Sequence, residues 1–418
     1  MNIGFVSEAL PYLPSPGGFR LYGANVIRCL SRHHRIHLVS LVHPDDMRQL
    51  AWSHRYCTTV TAIPAAGATL PARAVNFLST YGWGKPLHYR SQLNSTLRQQ
   101  VADQQWDVLH VEGSFVAGLI DPSLGVPMVL SLHDAWPLRC AAMVRSSSKL
   151  KERLYYRALG FVEPRYARLV YPRFDRCAFV TSADLAALDG ALTPGTGVVI
   201  PNGIDTDYYH PRVARKVDGL VTFHGHLSYA PNVDAALFFA REVFPLIHRE
   251  EPDAKLRLVG ASPAPEVKRL ARVSGIEVHA NLPDLRAAVS AGQVYVCPVR
   301  HGSGVKNKLL EAMAMGLPVV SHPSAASGLD CLPGRDLLLG DEPQTFAKQV
   351  LRVLQNPDLA TDLGSAARRL MEARYGWASR AEAYAALYRE LALARHPGVF
   401  QRLASAPHPS PSECHDAL

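Results

Sequence analysis

The sequence predicts an α/β fold in which two doubly wound domains follow one another along the chain. Three observations predict it. The 418 residues suffice for two domains of ordinary size, at roughly 100–200 residues each. Short apolar runs alternate with longer amphipathic stretches and almost no hairpin signal, so strands bounded by helices read as βαβ units of parallel sheets. The alternation also restarts near Leu220, after the polar, weakly patterned stretch His210–Gly219.

Buried strands are expected first at Asn2–Ser7, Ile36–Val42, Val108–Glu112, Met128–His133, Phe179–Ser182 and Val198–Pro201. A second set follows at Leu220–Gly225, Leu256–Gly260, Gln293–Pro298 and Pro318–Ser321. Amphipathic helices are expected between them at Ala24–Ser31, Asn94–Gln104, Asn232–Glu250, Ala264–Val273 and Lys306–Met315. These divide the chain into a first domain over 1–205 and a second over 206–376. A helix over 377–395 is expected to pack back on the first domain, ahead of a Pro- and Ser-rich, disordered tail over 396–418. Ligands of such sheets bind outside the carboxyl ends of the strands, so two facing sheets would share a ligand in the cleft between them.

Composition narrows the classes. Hydrophobic residues make up 48% and charged residues 19%, which excludes a disordered or fibrous chain. The seven cysteines are scattered with no C-x-x-C pair, so no disulfide framework or zinc site is indicated and a reducing compartment is expected. The N-terminal MNIGFVSEAL lacks the pattern of a signal peptide, and no apolar run approaches about 18 residues. A cytoplasmic location is therefore expected, with the inner face of a membrane as a refinement. The net charge of +8 suits an acidic ligand, an anionic membrane, nucleic acid or merely a solvated basic surface, and does not choose among them.

Five segments carry candidate chemistry. The strongest is VCPVRHGSGVKNKLLEAMAMGLPVV, Val296–Val320, which reads as strand, glycine-rich turn, helix, glycine C-cap, proline and strand. Gly302 and Gly304 let backbone approach a ligand, and the turn opens a helix whose free N–H groups and positive dipole end attract an anion. Arg300, Lys306 and Lys308 add positive charge at the same place, which is what a diphosphate needs when no metal neutralises it. Glu311, three residues after Lys308, shares its helix face and can accept two hydroxyls; the plainer alternative is a surface ion pair above an ordinary turn.

The second segment is VVIPNGIDTDYYH at the domain junction, where Asn202 and Gly203 either meet a ligand or simply make a tight turn. In the third, Gly17 and Gly18 precede a helical run and either contact a phosphate or sugar or form a flexible loop; no G-x-G-x-x-G is present. In the fourth, VLSLHDAWPL, His133 and Asp134 close a buried strand at its carboxyl end, and Glu112 ends a neighbouring strand in the same way. The fifth, Arg139–Arg176, holds ten Lys and Arg against three acids, interleaved with Tyr155, Tyr156, Phe161, Tyr166, Tyr171 and Phe174. It suits an anionic membrane surface, single-stranded nucleic acid or a solvated helix face.

Together these residues resemble the retaining glycosyltransferases of family four, which have the GT-B fold. The resemblance covers residues 1 to about 390. It rests on Gly17–Gly18, the LHD at Leu132–Asp134, PNGID at Pro201–Asp205, FHGHLSYAPNVDA at Phe223–Ala235, LVG at Leu258–Gly260 and LLEAMAMGLPVV. YAPNVDA, RHGSGVKNKLLEA and GRDLLLGDEPQTFA are similar to one subgroup, the sugar transferases linked to bacterial exopolysaccharide clusters.

The resemblance implies two Rossmann-like domains facing across a cleft, the second holding a nucleotide-diphosphate sugar and the first the acceptor. Its catalytic set would be His133, Arg300, Lys308 and Glu311, with Glu311 on the ribose and His133 on the transferred sugar. The donor would meet Gly17, Gly18, Asn202, Gly203, Gly225, His226, Gly302, Ser303, Gly304, Lys306 and Glu311, and the acceptor Glu112 and His133. No metal or other cofactor is implied. The chain departs from the family twice: Ser303 stands where many relatives carry the first glutamate of E-x7-E, and His226 stands near their usual arginine with no lysine following. The function expected is sugar transfer with retention to a carbohydrate or lipid-linked acceptor, in exopolysaccharide or cell-surface glycan synthesis. The alternatives are a nucleotide-sugar epimerase on the same fold and a non-catalytic nucleotide-sugar-binding partner.

Overall fold

A computed structural model describes residues 1–15, 18–65, 90–147, 149–301 and 304–395. Among these, the first half forms a seven-stranded parallel sheet and the second a six-stranded one. The first contains β1 (Asn2–Ser7), β2 (Arg35–Val42), β3 (Thr59–Pro64), β4 (Val108–Glu112), β5 (Met128–Leu132), β6 (Arg176–Phe179) and β7 (Gly197–Val199), in the order β3-β2-β1-β4-β5-β6-β7. The second contains β8 (Val217–His224), β9 (Lys255–Gly260), β10 (Ile276–Ala280), β11 (Gly292–Cys297), β12 (Val319–Ser321) and β13 (Leu338–Leu339), in the order β10-β9-β8-β11-β12-β13. Both orders reverse beside their own first strand, so the same topology is laid down twice.

The central strands are apolar on both faces because helices cover both. β4 and β5 are buried at every position, as are four of the six residues of β9. The flanking helices include α1 (Gly18–Leu30), α2 (Trp136–Ser146), α3 (Leu150–Val170), α4 (Ala230–Phe238), α5 (Asn307–Ala314) and α6 (Trp377–Arg395). α6 packs against α1 and the first sheet, although its sequence follows the second domain. The tie is polar inside an aromatic cluster: Tyr384 hydroxyl lies 2.8 Å from that of Tyr22 and 2.9 Å from Ser131 Oγ. Tyr388 hydroxyl lies 2.6 Å from His110 Nδ1, and burial drives the His110 pKa down to about 3, so the ring is neutral there.

Several elements differ from the sequence expectation. The strand expected at Phe179–Ser182 lies three residues earlier, at Arg176–Phe179. Thr181 instead caps the next helix, its hydroxyl oxygen accepting from the Asp184 N–H at 3.0 Å. The helix expected over Asn232–Glu250 is divided by a wide π-type turn at Phe239–Val243, just ahead of Pro245, which has no N–H to continue an α ladder. α1 begins six residues earlier than expected, at Gly18. The strands β3, β10 and β13 were not expected; each lies at a sheet edge, and β3 and β10 are mostly half-buried.

The two domains meet along several contacts. Ile204 N–H donates to the Tyr375 carbonyl at 2.7 Å, and Arg28 meets Asp205 at 2.9 Å. Arg368, in the helix Pro357–Arg374, donates to the carbonyl oxygens of Thr206, Tyr209 and Ala314 at 2.6–2.9 Å and so ties the interdomain segment to the second domain. At another edge of the interface α2 packs against α4.

Candidate active site

The carboxyl ends of the two sheets face one cleft of about 730 Å³. Its walls come from both domains: Gly18, Leu21, Asp134 and Arg139 from the first, and Tyr209, His224 to His226, Asn232, Lys306 to Lys308 and Glu311 from the second. Most of these groups arrive at a strand end or helix start, where the backbone leaves the sheet and side chains are released from core packing.

The second-domain wall is built on α5. No side chain caps this helix at Lys306, and Lys306 itself has extended backbone. Its first N–H groups therefore point toward the cleft with the positive end of the helix dipole. Lys308 Nζ donates to Asn232 Oδ1 at 2.6 Å, which aims the ammonium beneath the β8 turn. Burial holds the pKa values of both Lys306 and Lys308 below the usual lysine range, offset by Asp134 at Lys306 and by Cys297 and Glu311 at Lys308. An entering anion would oppose that burial effect and favour the charged forms.

Gly225 closes β8 with φ of 159°. A Cβ there would stand 2.9 Å from Asn232 Nδ2 and 3.1 Å from Lys308 Cε, so a side chain would displace the ammonium or its partner. One turn further along α5, Glu311 Oε2 lies 2.6 Å from His224 Nε2, whose side chain is 3% exposed. The pair fixes one carboxylate oxygen and leaves the other to the cleft. The turn before α5 reaches the first domain. Gly304, at φ of 68°, lies so near the end of β5 that a Cβ would meet Asp134 Oδ1 at 3.0 Å and the His133 carbonyl at 3.1 Å.

The first-domain wall is acidic behind its surface. Glu112, fully buried, accepts from His133 Nε2 at 3.1 Å and from Ser7 Oγ at 3.4 Å. Gly23 on α1 makes room for it, since a Cβ there would fall 2.1 Å from Glu112 Oε2. Burial raises the Glu112 pKa against the opposing pull of His133, and burial pushes Glu8 up to about 7. The His133 ring is wedged against Tyr22 at 4.4 Å and Phe19 at 4.8 Å.

Among the sequence candidates, Gly18, Gly225, His226, Lys306, Lys308 and Glu311 line the cleft together. His133 and Glu112 stand behind that lining as a hydrogen-bonded pair. Asn202 Nδ2 donates across the domain boundary to Asn307 Oδ1 at 2.7 Å and thereby holds the first residue of α5. Gly203 lies flat on Trp377, whose ring a Cβ would strike at 2.5 Å. Arg300 is directed away from the lining: it meets Asp234 at 2.8 Å and stacks 4.3 Å over Phe238. Gly17, Gly302 and Ser303 lie outside the described residues. His224, Asn232 and Asn307 were missed as candidates. They lie within the segments FHGHLSYAPNVDA and RHGSGVKNKLLEA, at the end of β8 and the starts of α4 and α5.

Two tandem Rossmann-like domains with one cleft between the carboxyl ends of their parallel sheets form the GT-B fold. Solved structures agree: the chain is similar to HepE of Anabaena, solved with UDP and with UDP-glucose. At 14% identity the TM-score to its UDP complex is 0.64, over 94% of this chain and 100% of that one. Residues 16–208 match the model of Glycosyltransferase Family 4, and residues 218–356 that of Glycosyl transferases group 1. Among curated relatives, the MMP alpha-(1->4)-mannosyltransferase of Mycolicibacterium hassiacum is 26% identical over 336 residues, 76% of this chain and 77% of that protein. An uncharacterized 44.6 kDa protein in the cps region of Klebsiella pneumoniae is 22% identical over 284 residues, 65% of this chain and 71% of that one. The chain belongs to the family four glycosyltransferases.

Proposed function

We propose that this enzyme transfers a sugar from a nucleotide-diphosphate donor to a carbohydrate or lipid-linked acceptor, with retention of anomeric configuration. The work would belong to exopolysaccharide or cell-surface glycan synthesis at the cytoplasmic face of a membrane. The observation that carries the reading is the joining of an uncapped helix start, two half-buried lysines and Glu311 on one wall of the interdomain cleft. In support stand the UDP bound to the Anabaena neighbour and the cps-region relative.

In this reading the diphosphate lies at the α5 amides beside Lys306 and Lys308, and the free oxygen of Glu311 takes a ribose hydroxyl. Leu282, Pro283 and Leu285 offer an apolar end for the base. The sugar points toward Gly18 and the His133–Glu112 pair. The acceptor hydroxyl attacks the anomeric carbon from the face that the phosphate leaves. The bond from that carbon to the phosphate oxygen breaks, a new one to the acceptor oxygen forms, and the hydroxyl proton passes to the departing phosphate. The barrier lies in separating a sugar cation from a diphosphate. Preorganised amides and ammonium groups lower it most, because they do not have to reorient as charge develops. The positive charge the diphosphate needs is thus met by side chains and backbone, without a resident cofactor.

The test is a panel of nucleotide-diphosphate sugars, followed by nucleotide release with and without cell-surface acceptors. The expected result is release of one nucleotide that depends on an acceptor, with the product linkage keeping the donor's configuration. Interconversion of sugars without acceptor would replace this reading with an epimerase, and nucleotide binding without turnover across the panel would replace it with a binding partner.

A further inference from the structure

α3 carries two faces. Leu159, Glu163, Tyr166, Ala167 and Val170 are buried toward the first domain, and Gly160 packs so closely on α2 that a Cβ would stand 3.2 Å from Cys140. The outward face repeats at three- and four-residue spacing: Leu150, Leu154, Arg157, Phe161, Arg165 and Arg168. Phe161 is 87% exposed, Leu150 67% and Leu154 55%. A soluble helix rarely leaves a phenylalanine so bare beside two exposed leucines. Lys151 and Arg153 flank the stripe, whereas Glu152 is turned to Lys149 and Glu163 is buried, so this exposed face carries no carboxylate.

We infer that the outward face of α3 is a membrane-docking surface for an anionic lipid bilayer. An apolar stripe flanked by cations matches the lipid interface in both respects: the aromatic and aliphatic groups enter the acyl boundary while the arginines meet headgroup phosphates. Its place agrees. α3 packs along α2, and α2 supplies Arg139 and Ala142 to the cleft wall. The surface is thus continuous with the cleft, and an acceptor anchored in lipid would be presented at its rim. The inference concerns binding alone and does not depend on the donor or on sugar transfer.

The test is co-sedimentation of the full chain with phosphatidylcholine vesicles with and without phosphatidylglycerol, in the absence of donor and acceptor. Binding should require phosphatidylglycerol and weaken with salt. Phe161→Ser should weaken it roughly ten-fold, since burial of one such side chain is lost. Arg157→Gln and Arg168→Gln should each weaken it roughly five-fold. All three side chains are exposed, so the variants keep their fold, which circular dichroism checks. Three results would overturn the inference: no binding to anionic vesicles, equal binding by the variants, or capture of single-stranded DNA that the vesicles do not displace. A dimer in solution that Phe161→Ser dissociates would also overturn it, by giving the face to a second copy.

Discussion

The same strand order is built twice in this chain, yet the two carboxyl edges that face the cleft have opposite character. In the first domain the edge is backed by Glu8, Glu112 and the His133 ring, with both carboxyl groups pushed toward their neutral forms by burial. In the second it is formed by the start of α5, with Lys306 and Lys308 pushed toward theirs. The topology fixes where a ligand sits; the residues at strand ends and helix starts fix which charge it carries. Under the proposed function, one edge would hold an anionic leaving group and the other would orient neutral hydroxyls. Substitutions on the two edges should therefore fail in different ways.

The largest effect is expected at Lys308. Lys308→Ala removes an ammonium aimed by Asn232 at the α5 start, and loss of one preorganised donor typically costs about 3 kcal/mol in the transition state. Turnover measured by nucleotide release should fall roughly a hundred- to a thousand-fold. A purified variant that turns over at the wild-type rate would remove Lys308 from the mechanism.

Next comes Glu311. Glu311→Ala should weaken nucleotide binding roughly ten-fold by calorimetry, as expected for charged hydrogen bonds of about 1.5–3 kcal/mol. His224→Asn should weaken it less, because His224 acts only by holding one Glu311 oxygen. Equal nucleotide affinity in wild type and Glu311→Ala would take the ribose away from this carboxylate.

On the opposite edge, Glu112→Gln should leave nucleotide affinity unchanged and raise the acceptor KM several-fold. The amide keeps the shape but can never take the charge that strengthens the bond to His133 Nε2. A change in nucleotide affinity matching that of Glu311→Ala would abolish the division of labour between the two edges.

Much of this division was legible in the sequence, and the exceptions have physical causes. The Val296–Val320 segment announces itself because a glycine turn, a helix start and two lysines are adjacent in the chain. The Glu112–His133 pair could be placed only at strand ends, since its members are 21 residues apart and meet through the pairing of β4 with β5. Arg300 shows the limit of local reading. Its charge lies near the turn in sequence, but Asp234, 66 residues away, claims it in space. His224 and Asn232 escaped notice for the converse reason, because their partners Glu311 and Lys308 come 87 and 76 residues later. The edge strands β3 and β10 were invisible because a strand with one neighbour does not need a continuous apolar run, and β13 because it is only two residues long.

The smallest effect tests whether the burial of acids in the first domain extends beyond the cleft. In the first domain Glu163 is 1% exposed; its Oε1 accepts from the Tyr171 hydroxyl at 3.2 Å, while Oε2 has no partner among the described residues. Burial pushes its pKa up to about 8, so the folded state holds this proton more tightly than the unfolded chain does. Its stabilising contribution is complete below about pH 4.5 and is lost as the pH rises through about 8. Glu163→Gln replaces the protonated carboxyl with an amide that never ionises. Its melting temperature should match the wild type at pH 5 and exceed it at pH 9, by a margin on the order of 2 kcal/mol in stability. A difference that stays constant from pH 5 to pH 9 would mean that Glu163 ionises as an ordinary surface acid, and the strongly shifted acids of the first domain would then be confined to those behind the cleft.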